Sequence, residues 1–477
     1  MAERWSYEGF EMVVGLEVHV ELDTATKLFS GSANRFGDDP NTHIDPVTLG
    51  LPGALPVLNA RAVELAARIG LALGCTVQAC TFARKNYFYP DMPKAYQISQ
   101  YDKPLNIDGQ LALSDGTVVG VERAHLEEDT GKSTHLGGSG RLHGSEGSLI
   151  DFNRAGVPLV EIVSRPDIVS PEQAREYVNE LRAILVAIEA SDARMEEGSM
   201  RVDANVSVRR PGEALGTRCE IKNVNSVRSL GRAIDAEARR QVALISAGES
   251  VVQQTRHWDE GDGRTHALRS KEDADDYRYF PDPDLVPFVP TAEWIEQVRS
   301  SLPTLPAQRR AELAALCGVA ADTEAVMTVV ERGQDVYVAA VASHGGDAGR
   351  ALTHVKEAFA ELGASPAVPP ADLAALIVME SSGSVTATQA KTLLGDMIAA
   401  GGGDPVALAA QHGFEAMDDS ELVALVDAAI AAEPEAWEKY CAGENKAMGA
   451  LVGHVMKASR GQADGKAVSA LLVARRS

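Results

Sequence analysis

Cysteine is scarce and scattered. Five residues (Cys75, Cys80, Cys219, Cys317 and Cys441) are spread over 477 positions, none in a C-x-x-C pair. That excludes a disulfide framework and a cysteine-based zinc site, since both need thiols in close pairs. Aromatic residues are only 5% of the chain. No apolar run reaches the roughly 18 residues of a membrane span. The opening stretch MAERWSYEGFEM lacks the basic-then-apolar pattern of a signal peptide, so the expected location is the cytoplasm. Positive charge is short as well: the net charge of −23 argues against a protein that coats nucleic acid non-specifically, though local patches could still bind it. No G-x-S-x-G occurs and no cysteine lies in a recognisable nucleophile signature, so no nucleophile for amide hydrolysis is visible.

What is present implies several domains. Domains usually run about 100–200 residues, so two to four are expected. The first ~290 residues mix alternating apolar runs with turns rich in Gly, Pro, Asn and Asp, whereas the rest is Ala-rich with helical periodicity. Residues 364–370 (ASPAVPP) and 401–405 (GGGDP) look like later breaks.

Along 14–22 the even positions are apolar, and Glu17, His19 and Glu21 share the opposite face because strand side chains alternate with period two. Along 200–208 the apolar set is Met200, Val202, Ala204, Val206 and Val208, which leaves Arg201, Asp203, Asn205 and Ser207 on the other face. Residues 157–163 (VPLVEIV) read as a third strand with Glu161 among apolar neighbours. Ser170, Pro171 and Gln173 mark a helix start, with Ser as cap and Pro at the first position, and an amphipathic helix runs on to about Glu189. Strands followed by single helices give an α+β first domain with a mostly antiparallel sheet.

These acids pose a question of chemistry. A carboxylate in an apolar strand is costly to bury unless it is paired or binds a cation. Hard ions such as Mg²⁺ prefer oxygen ligands, and one histidine among acids is compatible with Mg²⁺ or Mn²⁺. Two readings stay open. Glu17, His19 and Glu21 are either the wet face of an edge strand or part of a metal site. Glu161 is either a ligand or the partner of a buried arginine such as Arg165. Glu127, Glu128 and Asp129 follow another strand-like run.

Gly131-Lys132-Ser133 resembles the end of a P-loop, but Leu126 stands where the first glycine is required, so Lys132 could meet a phosphate only as a point charge. Arg84, Lys85, Lys94 and Lys103 are interleaved with Tyr87, Phe88, Tyr89, Tyr96 and Tyr101, and 276–281 (DYRYFP) repeats the flavour. Such mixtures suit nucleotide stacking and phosphate contact, or equally a loop whose aromatics fill the edge of a core. Residues 444–477 hold six bases against two acids, after eight acids and one base in 415–443. That basic end is either an RNA contact or a solvated helical face.

Longer words carry more. GLEVHVEL (15–22), LGLPGALPVLN (49–59), RKNYFYPDMPKAYQISQYDKPL (84–105), HLEEDTGKSTH (125–135), DFNRAGVPLVEIVSRPDI (151–168), MEEGSMRVDANVSVR (195–209), EIKNVNS (220–226) and DYRYFPDPDL (276–285) closely resemble the B subunit of the aspartyl/glutamyl-tRNA amidotransferases. ENKAMGALVGHVMKASRGQAD (444–464) resembles that family's tail, and the likeness runs nearly end to end.

The resemblance implies a catalytic cradle over 1–293, a helical domain over 294–404 and a tRNA-binding helical tail over 405–477. It implies an ATP-dependent reaction on misacylated Glu-tRNA(Gln) or Asp-tRNA(Asn): the side-chain carboxylate is phosphorylated and ammonia displaces the phosphate. The ammonia would come from an amidase-fold glutaminase partner, held in a heterotrimer by a small third subunit, which fits the missing nucleophile. By motif, His19, Glu128 and Glu161 look like the principal metal ligands, and Glu17 and Asp203 like a second ion's ligands or outer groups. Lys85 and Lys132 are implied phosphate contacts. The implied cofactors are ATP and Mg²⁺, with Mn²⁺ possible. This chain departs from the family in one respect: many members carry C-x-C and C-x-x-C where Ser30-Gly31-Ser32 and Asp45-Pro46-Val47-Thr48 stand here, so no zinc is expected. A milder departure is Gln254, where an acid is commoner. Two other classes remain: a tRNA-docking protein whose acids are only structural, and a metal-dependent nucleotide hydrolase.

Overall fold

Period-two alternation builds the long strands of a computed structural model that describes residues 4–137, 146–270, 277–360, 362–363, 366–414, 419–459, 463 and 465–476. In chain order the strands are β1 (Ser6–Tyr7), β2 (Phe10–Glu21), β3 (Thr76–Val77), β4 (Ala83–Asn86), β5 (Tyr96–Ser99), β6 (Asn106–Ala112), β7 (Val118–Glu128) and β8 (Lys132–Leu136). They continue with β9 (Gly147–Asp151), β10 (Pro158–Ser164), β11 (Met200–Arg209), β12 (Cys219–Val224), β13 (Gln254–Asp259), β14 (Arg264–Ser270) and β15 (Phe280–Pro281). The main sheet has the order β14-β13-β12-β11-β2-β10-β7-β6-β3, with β1 beside β2. Its pairings are antiparallel apart from β12 with β13. Strands β4, β5 and β15 form a small second sheet, and β8 with β9 a hairpin.

The even positions of β2 (Val14, Leu16, Val18 and Val20) are fully buried. They share one core with three helices, α1 (Ala60–Ala72), α2 (Pro171–Ala187) and α3 (Val227–Ser246). Each such side chain contributes about 1.5–3 kcal/mol by leaving water. Ser170 caps α2 by accepting from the Gln173 N–H, and Pro171 opens it. With helices on one face, the other face of the sheet is left for polar side chains. This is the α+β architecture expected from alternation.

The compact first unit spans Met1–Leu305 and the second Pro306–Ser477. The first unit therefore runs past the expected limit of 293. Helix α4 (Ala292–Ser300) is the reason: Val298 packs into the first core, and Arg68 Nη1 donates to Ser301 Oγ at 2.8 Å. The second unit is helical throughout its described residues and has two apolar clusters, one from Leu313 to Ala409 and one from Leu422 to Leu472. Ala409 joins the first cluster, so the packing does not divide at the expected 404/405. Asp276, Glu415, Asp418, Arg460 and Asp464, singled out above, lie outside the described residues. Among the described residues no helix is long and apolar enough to cross a membrane.

Glu237 ties α3 to the outer strands. It is fully buried and accepts from Arg240 Nη2 at 2.6 Å, Gln241 Nε2 at 2.9 Å and Thr265 Oγ1 at 2.7 Å, with Arg256 Nε at 3.2 Å. Burial alone would raise its carboxyl, but Arg240, Gln241 and Thr265 hold it below the usual range. Glu237→Ala is expected to cost the first unit about 3–5 kcal/mol, because two guanidiniums lose their buried counter-charge. Calorimetry should show a lower Tm for that unit alone. A depressed folded pKa means the contribution is full at neutral pH and fades as pH falls through that pKa, so mutant and wild type should converge in acid.

Candidate active site

Register assembles the polar face. Strand β10 lies between β2 and β7, and Glu161 stands directly opposite His19 on one side and His125 on the other. Both imidazole Nε2 atoms lie 3.6 Å from Glu161 Oε2. His19 is in turn opposite Arg201 of β11, and Glu17 is opposite Asp203. Burial alone would raise the Glu161 carboxyl, but His125, His19 and Lys85 outweigh it and hold it well below the carboxylate range. Burial disfavours charge on both imidazoles. It prevails at His125, which is lowered, whereas the Glu161 hydrogen bond and charge leave His19 raised. The alternative partner, Arg165, is engaged elsewhere, 2.7 Å from Asp108.

The third member of this cluster is Glu127. One ligand atom from each of His19, Glu127 and Glu161 falls within a 4.8 Å group. Glu128, expected here, lies on the other face of β7. Alternation puts His125 and Glu127 on the polar side and Leu126 and Glu128 on the core side. There Glu128 accepts from Lys94 Nζ at 2.5 Å and from the Ile98 N–H at 2.9 Å. The β4–β5 hairpin thus sends one lysine to each successive glutamate: Lys94 to Glu128, and Lys85 to Glu127, with Nζ 3.7 Å from Oε2. Burial would lower the Lys85 ammonium, but Glu127 and the surrounding groups hold it raised. Glu127 Oε2 is buried without a hydrogen bond among the described residues. Such an orphaned acceptor is costly, and a bound cation would satisfy it. An imidazole with two carboxylates suits a hard divalent ion.

A second trio, Glu17, Asp203 and Glu220, also brings ligand atoms within 4.8 Å of one another. Lys222 already occupies it, 2.5 Å from Asp203 and 3.3 Å from Glu220, and Asn205 Nδ2 donates to Glu17 at 2.9 Å. His19, Glu127, Asp129, Arg201, Asp203 and Lys222 line a cavity of about 410 Å³. Beside it, burial and the neighbouring Asp129 push Glu21 up to about 8. Arg201 stands 2.5 Å from Asp129 and Arg154 3.6 Å.

The structure therefore brings Glu17, His19, Glu161 and Asp203 to one face of the main sheet, with Lys85 reaching Glu127 from the small sheet, and leaves out Glu128 and Lys132. Lys132 opens β8 and lines a different cavity. The sequence named Glu127 among the acids without choosing it as a ligand and placed Arg201 only on a polar face, and it did not single out His125, Glu220 or Lys222 as members of this cluster. Leu126 was the signal for Glu127 and His125, since an apolar residue inside HLEED sets the parity. His19→Ala, Glu127→Gln and Glu161→Gln should each weaken Mn²⁺ binding by roughly 10–100-fold or more, read by calorimetry or spin resonance. Glu128→Gln should leave it nearly unchanged, and an equal loss would return Glu128 to the ligand set. Because the ion must displace a proton from a raised His19, affinity should increase as pH rises through that group.

Residues 12–296 match the family model described as the GatB/GatE catalytic domain, and residues 335–475 match one described as the GatB domain. The chain is 48% identical to a Kineococcus radiotolerans protein, over 98% of this chain and 97% of that one. It is 50% identical to a Mycobacterium protein (strain KMS), over 98% and 96%, and 48% identical to one of Corynebacterium glutamicum, over 98% of each. All three are named as the B subunit of aspartyl/glutamyl-tRNA(Asn/Gln) amidotransferase. With two family models matched and such relatives aligned over 98% of its length, the chain belongs to the family of aspartyl/glutamyl-tRNA amidotransferase B subunits.

Proposed function

We propose that this chain carries out the ATP-dependent amidation of Glu-tRNA(Gln), Asp-tRNA(Asn) or both, as the acceptor subunit of a cytoplasmic heterotrimer. The observation that carries this reading is the His19–Glu127–Glu161 cluster beside a cavity that also holds Arg201 and Lys222. A carboxylate resists ammonia because its leaving group would be oxide. In the first step a side-chain carboxylate oxygen attacks the γ-phosphorus of ATP, and the bond to ADP breaks. In the second, ammonia attacks the acyl carbon, inorganic phosphate leaves and the nitrogen loses a proton.

Phosphoryl transfer is catalysed mostly by alignment and charge neutralisation. Mg²⁺, or Mn²⁺, held by His19, Glu127 and Glu161, would supply that neutralisation when bound, and Glu17, Asp203 and Glu220 are the candidates for a second ion. Arg201 and Lys222 are held in place by Asp129 and Asp203, so they meet anionic oxygens without reorganising. Lys85, beside Glu127 and 5.1 Å over the Tyr277 ring, holds positive charge at the buried end of the cluster.

Ammonia is assigned to a glutaminase partner, with a small third subunit joining the pair. In support, burial pushes the thiols of Cys75, Cys80 and Cys219 up, to about 12, 11 and 11, far from a thiolate nucleophile. The basic C-terminal stretch is assigned to tRNA. Zinc has no place in the scheme. Ser30 Oγ and Thr48 Oγ1 lie 3.5 Å apart, Asp45 accepts from the Thr48 N–H at 2.7 Å, and no thiolate is among these donors.

The test is conversion of Glu-tRNA(Gln) and Asp-tRNA(Asn) by the complex co-expressed with both partners, given ATP, Mg²⁺ and either glutamine or ammonium. Wild type should form the amide from both nitrogen sources. Glu161→Gln should lose roughly 100-fold or more with either source, while glutaminase turnover and tRNA binding persist. Full activity in Glu161→Gln would leave the reaction standing and overturn the site assignment, and ATP turnover without aminoacylated tRNA would favour a simple hydrolase.

A further inference from the structure

A second cavity, of about 870 Å³, adjoins the catalytic one. The two share a wall. Asp129 and Arg201 line the first, Glu21 and Arg154 line the second, and Asp129 is 2.5 Å from Arg201 and 3.6 Å from Arg154. Phe36 lines the second cavity yet is 80% exposed, on a loop between Arg35 and Gly37. No ring contact engages it among the described residues, unlike Tyr87 with Tyr89 at 4.6 Å or Tyr101 with Tyr279 at 4.3 Å. Single exposed aromatics are ordinary; what sets Phe36 apart is its place in the lining of a cleft beside the catalytic cavity, where a flat base could stack on its ring.

We propose that this cavity seats the 3′-terminal nucleoside of the aminoacylated RNA, with its base stacked on Phe36 and its aminoacyl ester directed over the shared wall. The inference rests on the transamidation reading and goes beyond it by assigning a seat to one part of the substrate. Covalent geometry supplies the first argument. The amino acid is esterified to the terminal ribose, so that nucleoside must lie within one aminoacyl length of the reacting side-chain carboxylate. A cavity separated from the catalytic one by a single layer of side chains meets that condition.

Charge supplies the second argument. Asp23, Asp192, Glu196 and Glu197 line the cavity. A triphosphate would be repelled by such a lining. A nucleoside is uncharged, its ribose hydroxyls donate to carboxylates, and the α-ammonium of the aminoacyl group carries the sign that acids favour. Arg35, Lys132 and Arg154 also line the cavity, and they are cations available to the one phosphate that follows the terminal nucleoside. Stacking on an aromatic ring is strong enough to matter for a single base and needs no hydrogen-bond reading of it.

The experiment pairs the protein change with a substrate change in the full complex. Binding of deacylated tRNA, with and without its terminal adenosine, is measured on wild type and on Phe36→Ala, with Phe36→Trp as the conservative variant. Because Phe36 is exposed, none of these changes disturbs a core. Removing the adenosine should weaken wild-type binding roughly 5–100-fold. The same removal should cost Phe36→Ala little, and Phe36→Trp should behave as wild type. With aminoacylated tRNA, Phe36→Ala should raise the KM for tRNA by a similar factor and leave the KM for ATP unchanged. A rise in the KM for ATP alone would give the cavity to the nucleotide cofactor and overturn the proposal. So would an equal loss from adenosine removal in wild type and Phe36→Ala. The binding arm needs no turnover, so its failure is distinct from a failure to transamidate.

Discussion

One carboxylate governs the arrangement. Glu161 sits in an apolar strand between Val160 and Ile162 of the core, and an isolated buried carboxylate costs several kcal/mol. The antiparallel register repays this by setting an imidazole directly opposite on each side, His19 from β2 and His125 from β7. Side chains alternate with period two, so a slip of one residue in either pairing would turn an imidazole into the core and bring an apolar neighbour (Val18 or Val20 of β2, Ala124 or Leu126 of β7) against Glu161. The order β2-β10-β7 and its register are therefore held by both faces at once. Val18, Val160 and Ile162 demand the helix side, and the acid with its two imidazoles demands the other.

The end of β7 extends that logic. Glu127 and Glu128 are consecutive, so they cannot share a face, and the β4–β5 hairpin answers both with Lys85 and Lys94. The hairpin is further fixed by Gln97 Nε2, which donates to the Glu128 carbonyl at 2.8 Å. A shift of the hairpin would disturb the acid on the polar face and the acid on the core side together. The rigidity of the Glu127 side chain is thus partly supplied from the opposite face of the sheet. That kind of support is what a phosphoryl-transfer site needs, because its groups must be in place before charge develops.

This division explains what could be read from the sequence. Parity within one strand was legible: residues 14–22 and 200–208 placed Glu17, His19 and Asp203 on polar faces, and β2 and β11 bear this out. The Ser170 cap was legible because capping is local. Pairing between strands was not. Nothing near Glu161 in the chain announces His125, whereas Arg165 is four residues away and was the natural partner to name. The word HLEED shows its acids but not which faces inward, unless Leu126 is used to set the phase. Lys222 and Glu220 are brought in by a strand whose neighbour is decided by the fold. Helix α4 packs with the first unit through Val298, which the chain around it does not announce.

Charge is the last link between fold and chemistry. With acids outnumbering bases, 68 to 45, the placement of each cation matters more than the total. In the catalytic cavity each cation is fixed by an acid it does not fully consume. Arg201 holds Asp129 through one terminal nitrogen while its Nε lacks a hydrogen bond among the described residues. Lys222 divides its ammonium between Asp203 and Glu220. Acids used this way lower the net charge yet raise the local readiness to receive phosphate, because a preset cation loses little entropy on binding. The net charge of −23 is therefore no measure of what this surface repels, and the position of each acid relative to its cation is what decides.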